Sequence, residues 1–166
     1  MSDLDQRRFF EHYRSFVAAF AARRVRPDDV EDIVSEVFAI AWRRRDVVPE
    51  DALPWLYRTA RYVIGTRYRT DARLAALREK LGAVPLEHSA ADPADAVVRR
   101  RAFLEAFCAL GEDDREMLLL AAWEGLTNAE AATVLGVSPG AAAVRLSRAR
   151  SRMERHLAQD SKEQTP

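Results

Sequence analysis

The stretch GLTNAEAATVLGVSPGAAAVRLSRARSRM, residues 125–153, decides the fold. Thr127 is followed three residues later by a glutamate, a capping-box pattern that predicts the start of a helix. Gly136 suits the left-handed backbone that often ends a helix, and Ser138 with the proline after it is a typical start of the next one. Two helices joined by a turn of about three residues predict a helix-turn-helix, which places its second helix in the DNA major groove.

The second helix of this pair is strongly basic. Residues 145–155 hold five arginines and one acid, a net charge of +4. In such a helix the first residues reach base edges and the later arginines meet phosphates. A solvated cationic surface is the alternative, and Arg152 and Arg155 fit either role. The residues that we expect at the DNA are Ser138, Ala141, Ala142, Arg145, Arg148 and Arg150.

Three further helices are predicted before residue 82, because apolar residues recur there at helical spacing. The first covers about residues 4–25. The second begins after Pro27, where five acids and no base lie within residues 28–36, and three arginines close it, as the helix dipole favours. This acidic face serves either solubility or the docking of a basic or mixed protein partner.

The third helix begins near Asp51 and combines arginines with aromatic residues. Residues 57–80 contain seven bases and two acids, a net charge of +5. Cations interleaved with rings suit single-stranded nucleic acid, because bases stack on rings while phosphates are neutralised. We expect Trp55 and Tyr57 mainly in the core, whereas Tyr62 shares a face with arginines and is a candidate for base contact.

Residues 82–95 contain prolines and small residues without any period, which predicts a flexible linker. We therefore expect an all-α protein made of two small helical domains. The first domain covers residues 1–81, and the second, the helix-turn-helix domain, covers residues 96–158. Residues 159–166 form a polar tail.

The overall composition narrows the class of protein. The 26 basic and 26 acidic residues balance, which argues against a uniformly basic coat protein for nucleic acid. One cysteine, Cys108, excludes an internal disulfide, and the three histidines lie too far apart in sequence for a metal site. No apolar run is long enough for a membrane span, so we expect a cytoplasmic protein without membrane insertion. No catalytic or cofactor-binding motif is present, which predicts a protein that is not an enzyme and needs no cofactor.

The order of these motifs resembles bacterial RNA polymerase sigma factors of the extracytoplasmic-function (group IV) type. The resemblance rests on DDVEDIVSEVFAIAWRRRD (28–46), ALPWLYRTARYVIGTRYR (52–69) and the 125–153 stretch. It implies that the first domain docks on the clamp helices of the polymerase and opens the −10 promoter element, while the second reads the −35 element. The implied partners are core RNA polymerase, promoter DNA and an anti-sigma factor.

The resemblance also implies roles for single residues. The implied polymerase-binding residues are Asp29, Asp32, Glu36, Phe38 and Trp42, the implied −10 residues are Arg58, Arg61, Tyr62, Arg67 and Arg69, and the implied −35 residues include Arg145 and Arg148.

The chain also departs from the family pattern. Tyr62 replaces the usual asparagine, Thr66 replaces a common acid, and Ala143 stands where a lysine is usual, so the family's promoter sequence does not carry over. Two alternatives to a sigma factor remain. One is a helix-turn-helix regulator that works without polymerase. The other is a sigma-like adaptor that binds polymerase or an anti-sigma protein without choosing promoters.

Overall fold

The computed structural model describes residues 3–68, 70–83 and 93–163. Within these ranges the chain is helical and contains no strand, which confirms the all-α expectation. Two short 3-10 helices, Pro27–Asp29 and Arg45–Val47, flank the second α-helix. The α-helices are α1 (Asp3–Ala22), α2 (Val30–Arg43), α3 (Leu53–Arg67), α4 (Thr70–Ala83), α5 (Pro93–Ala109), α6 (Glu112–Ala122), α7 (Asn128–Leu135) and α8 (Pro139–Glu163).

Several helix ends differ from the sequence-based expectation. The first helix ends at Ala22, before the expected residue 25, because the chain turns back on Ala21. The basic stretch 57–80 lies on two helices, α3 and α4, with a break after Arg67. The last helix continues to Glu163, into the expected tail. Both ends of the predicted linker are helical, and its middle, residues 84–92, lies outside the described residues.

The main hydrophobic core joins the two halves of the chain. Phe20 of α1 and Ile33 of α2 are fully buried in the same cluster as Met117 of α6 and Val134 of α7. Helices α3 and α7 pack directly against each other. The sequence pattern led us to expect a separate modest core in each half, and the structure instead unites much of both halves in one core. A second, smaller cluster joins α4, α5, α6 and α8.

The helix-turn-helix has the predicted local geometry. The hydroxyl of Thr127 accepts the backbone N–H of Glu130 at 3.3 Å, and the Glu130 carboxylate accepts the backbone N–H of Thr127 at 2.7 Å. The hydroxyl of Thr127 also donates to this carboxylate at 2.6 Å, and this bond together with that of the Thr127 backbone N–H lowers the pKa of Glu130, because both favour its charged form. Gly136 has φ +68° and ends α7, and the hydroxyl of Ser138 accepts the N–H of Ala141 at 3.2 Å. The capping box, the glycine stop and the serine cap are therefore confirmed.

A buried ion-pair network fastens the turn that follows α1 to α6 and to the turn after it. Arg24 is 5% exposed, stacks on the ring of Phe20 at 3.5 Å, and lies 2.9 Å from Glu116 and 3.1 Å from Glu124. Arg23 also bonds to Glu124. Buried charges are tolerated when they are paired and hydrogen-bonded, and this guanidinium is bonded by two carboxylates and a backbone carbonyl. The network therefore links the N-terminal and C-terminal halves by charge as well as by apolar packing.

Candidate nucleic-acid interface

Helix α8 has one buried face and one basic face. Leu146, Ala149 and Met153 are buried against the rest of the protein. Arg148 and Arg150 are exposed to solvent, as a role at DNA phosphates requires. The structure thus presents these two cations on the outside of the second helix of the helix-turn-helix.

The remaining −35 candidates, at the start of α8, differ in their exposure to solvent. Ser138 and Ala141 are exposed, so their side chains are free to meet a DNA groove. Ala142 is fully buried in the main core. Its methyl group cannot reach a base edge, and we correct the expectation that it faces DNA. Arg145 is partly buried and lies 3.6 Å from Asp113.

Helix α3 carries a groove of cations and rings. Tyr62 is 68% exposed, and it lines a surface groove together with Trp55 and Arg58. Arg43 and Arg44, from the end of α2, line the same groove. Rings on which bases stack, beside arginines that meet phosphates, can hold single-stranded DNA. The sequence pattern missed Arg43 and Arg44, because cations at a helix C-terminus are explained by the helix dipole. The sequence feature that could have pointed to them is the run of three consecutive arginines at the end of this helix.

The remaining −10 candidates of α3 have partners within the protein. Arg67, at the end of the helix, forms an ion pair with Glu36 of α2. Arg61 lies 3.7 Å from Asp113 of α6. Arg69 lies outside the described residues. The structure therefore leaves Arg58 and Tyr62 as the candidates on the open groove.

The candidate polymerase-binding residues, on α2 and on the 3-10 helix before it, lie on two flanks. On the α3 side, Glu36 pairs with Arg67, and Asp29 accepts a hydrogen bond from Tyr68, whose pKa is raised by burial and by this carboxylate. On the α1 side, the ring of Phe38 meets that of Phe10 edge-on at 4.8 Å.

The other two candidates on α2 are Trp42 and Asp32. Trp42, also on the α1 side, lies under the guanidinium of Arg45 at 5.4 Å from ring to cation. Asp32 is exposed and completes the acidic part of the surface. The set therefore combines an acidic flank with an aromatic one.

The two basic candidate surfaces meet at the start of α6. Asp113, which is 63% exposed, lies 3.7 Å from Arg61 of α3 and 3.6 Å from Arg145 of α8. The guanidinium of Arg58 lies against the turn of the helix-turn-helix, 3.4 Å from where a side chain on Gly136 would begin. No sequence spacing predicts these contacts, because the partners are distant along the chain.

The described residues contain no cluster of histidine, cysteine, aspartate and glutamate that could hold a metal ion. Cys108 is partly buried on α5. Among the described helices, none has the length and apolar character needed to cross a membrane.

The chain matches two family models. Residues 9–74 match the model described as Sigma-70 region 2, and residues 100–153 match the model described as Sigma-70, region 4. The first match contains α2, α3 and the groove between them. The second contains α6, α7 and the basic part of α8.

Three known proteins are similar in sequence. The probable RNA polymerase sigma factor RfaY of Xanthomonas campestris pv. campestris is 37% identical over 137 residues, which are 78% of this chain and 34% of RfaY. The chain thus spans about a third of RfaY. The RNA polymerase sigma factor CnrH of Cupriavidus metallidurans is 31% identical over 80% of this chain and 75% of CnrH. The ECF RNA polymerase sigma factor SigL of Mycobacterium tuberculosis is 29% identical over 70% of this chain and 67% of SigL.

The fold is also found in a solved structure. The structure of CnrH in complex with the cytosolic domain of CnrY matches with a TM-score of 0.63 at 25% sequence identity. The match covers 96% of this chain and 91% of the CnrH chain. The sequence and structure comparisons therefore agree over both halves of the molecule.

Proposed function

The chain belongs to the sigma-70 family of RNA polymerase sigma factors, in its extracytoplasmic-function group, and from this premise we propose that it binds core RNA polymerase and directs promoter-specific initiation. The protein catalyses no reaction of its own and works in the cytoplasm, where core polymerase is found. The observation that carries the proposal is the presence in one chain of a complete helix-turn-helix and a separate basic and aromatic groove.

The helix-turn-helix reads the −35 element. Capping at Thr127 and Ser138 and the left-handed Gly136 fix the angle between α7 and α8. Exposed Arg148 and Arg150 are suited to phosphates, and Arg145 joins them once it is released from Asp113. Exposed Ala141 offers only a methyl group, which suits contact with a thymine methyl.

The groove on α3 takes the single strand of the melted −10 element. Tyr62 and Trp55 supply rings for base stacking, and Arg58 supplies a cation at the same groove. Arg43 and Arg44 extend this cationic lining beyond α3. A strand held in this way is recognised largely by stacking and charge, so Tyr62 replaces a hydrogen-bonding asparagine by a stacking platform.

Helix α2 is the polymerase-docking element. Its exposed Asp32 and its aromatic flank, Phe38 and Trp42, together offer charge and apolar area to a basic or mixed helical surface. The relative CnrH is known in complex with the cytosolic domain of CnrY. By analogy, this chain is held in reserve by an anti-sigma factor that covers its docking surfaces.

Run-off transcription tests the proposal. Purified protein and core polymerase on fragmented genomic DNA should give discrete transcripts that require the protein, and mapping their start sites defines the promoters. The Arg58→Ala variant should lose these transcripts. Arg101→Ala is the matched control, because Arg101 is an exposed arginine paired with Glu105 on its own helix.

Two results would contradict the proposal. Protection of a discrete operator without polymerase, and no transcript with it, would identify a regulator that works alone. Capture of core polymerase without initiation at any genomic promoter would identify an adaptor.

A further inference from the structure

Val144 is a half-exposed apolar side chain on α8, the helix assigned above to the −35 element. Ala142 and Leu146 are buried, and Val144 lies two residues from each of them, about 200° away around the helix. It therefore points away from the protein, and it is 50% exposed. A single exposed valine is ordinary on a protein surface, and what sets this one apart is its position on the helix.

Two arginines flank Val144 on the outward face of α8. Arg145 lies about 100° from it on one side of the helix, and exposed Arg150 lies about 120° from it on the other. When a helix lies in the major groove, the centre of its outward face meets the base edges and its flanks meet the phosphates of the groove walls. Val144 thus occupies the place from which bases are read.

Gly140 lies one turn before Val144, on the same side of α8. A side chain at this position would meet open space within the described part of the chain, so the packing of the protein does not require a glycine. Glycine also destabilises a helix relative to alanine. A missing side chain does allow the helix backbone to approach a ligand closely, which would bring Val144 to the floor of the groove.

We propose that Val144 determines part of the promoter choice by packing against the C5-methyl group of a thymine in the −35 element. This inference rests on the proposed function and deepens it, because it names a base that α8 reads. Apolar contact with the thymine methyl distinguishes thymine from the other bases in the major groove and needs no hydrogen bond. Exposed Ala141 adds a smaller apolar surface beside it.

Deoxyuridine isolates the group that Val144 would contact, because it pairs as thymine does and lacks only the methyl. The probes are duplexes of a promoter mapped by run-off transcription, with the thymines of the −35 element replaced one at a time. Their affinity for holoenzyme, assembled from core polymerase and the full-length protein, is measured by competition with a fluorescent promoter. At one position or more, the wild type should bind the deoxyuridine duplex about fourfold more weakly, which corresponds to one buried methyl.

Three variants test whether Val144 is the residue that senses the methyl. Val144→Ala should bind the thymine and deoxyuridine duplexes equally at that position, and it should remain folded because alanine favours helix. Val144→Ile should keep the preference for thymine. Val98→Ala is the matched control, since Val98 is 48% exposed on α5, away from the helix-turn-helix, and this variant should discriminate as the wild type does.

The salt dependence of binding separates a methyl contact from a cationic one. Val144→Ala should leave the slope of log K against log salt unchanged, because no phosphate contact is lost. Arg148→Ala should lower the slope by about one. A similar fall in Val144→Ala would overturn the proposal, because it would show that the valine positions the arginines.

Three other results would also overturn the proposal. The wild type would bind thymine and deoxyuridine equally at every position of the −35 element, Val144→Ala would keep the full discrimination, or the mapped −35 elements would contain no thymine.

The outcome also separates this inference from the proposed function. Transcripts that require the protein, with no discrimination at any thymine, would reject methyl reading and leave the sigma factor in place. If no transcript forms, the same substitutions are made in an operator that the protein protects alone, and discrimination that is lost in Val144→Ala would then support methyl reading and reject the sigma factor. Absence of both transcripts and a protected operator would reject both.

Discussion

Replacing Gly136 by alanine tests the backbone geometry on which the helix-turn-helix depends. The residue has φ +68°, a left-handed conformation that costs an L-residue about 1–2 kcal/mol. The added methyl would lie 3.4 Å from Arg58 Nη2, an ordinary contact with the end of a flexible side chain. Alanine also lowers the entropy of the unfolded chain, which returns about 0.4–1 kcal/mol. The net expectation is a loss of about 1 kcal/mol in the free energy of unfolding.

Two other glycines provide matched controls for this change. Gly125 also has φ +68° but has open space around its Cβ position, so Gly125→Ala should cost the same strain. Gly140 lies in the first turn of α8 with ordinary φ and open space, so Gly140→Ala should leave stability unchanged or raise it slightly. Urea denaturation followed by circular dichroism measures all three. In thermal unfolding, a loss of 1 kcal/mol corresponds to about 2–4 °C for a chain of this size.

The comparison of the three variants can refute the reasoning in two ways. If Gly136→Ala is as stable as Gly140→Ala, the turn does not need a left-handed residue. If Gly136→Ala loses several kcal/mol more than Gly125→Ala, the contact with Arg58 is not the accommodating one that the structure indicates.

Four further predictions concern DNA contact, docking and titration. Arg145→Ala and Arg148→Ala should each weaken −35-dependent initiation by about 1–3 kcal/mol, measured by run-off transcription, while capture of core polymerase stays normal; equal loss of capture would contradict the division into two surfaces. Asp32→Lys should lower affinity for core polymerase with unchanged circular dichroism, and unaltered affinity would exclude the docking role. Burial raises the pKa of Tyr57 to about 12, so the absorbance of its tyrosinate form should appear at a higher pH than that of an ordinary tyrosine. The stability that depends on a neutral Tyr57 should be complete below pH 10 and should be lost as pH rises through 12. The hydrogen bonds from Thr127 lower the pKa of Glu130, so the stability that they add is present above the ordinary glutamate pKa and is lost as pH falls through the lowered one. Glu130→Gln should remove this part of the acid dependence of the free energy of unfolding, measured by urea denaturation at a series of pH values.

The helix ends that depend only on neighbouring residues could be predicted from the sequence. Thr127, Gly136 and Ser138 act through hydrogen bonds and dihedral angles within a few residues, so their patterns predicted the observed geometry. Contacts between the halves were not accessible. Asp113 meets Arg61 and Arg145 only because the chain folds back on itself, and no local period encodes that pairing.

The burial of Ala142 could have been predicted from the sequence. Alanine fits a tight core as well as a DNA groove, so the alanine run alone leaves its orientation open. Ala142 shares one helix face with Leu146, Ala149 and Met153, at spacings of four, seven and eleven residues, and all four are buried. The same spacing assigns Ala141 to the exposed side.

The pairing of Arg24 with Glu116 and Glu124 also limits how the two halves can be exchanged among relatives. One half supplies the buried cation and the other supplies both anions. A chimera that combined this N-terminal half with a C-terminal half lacking the two glutamates would bury an unpaired charge where the halves meet, at a cost of about 3–5 kcal/mol. The three residues should therefore be inherited as a set in any recombined protein that keeps this contact between its halves.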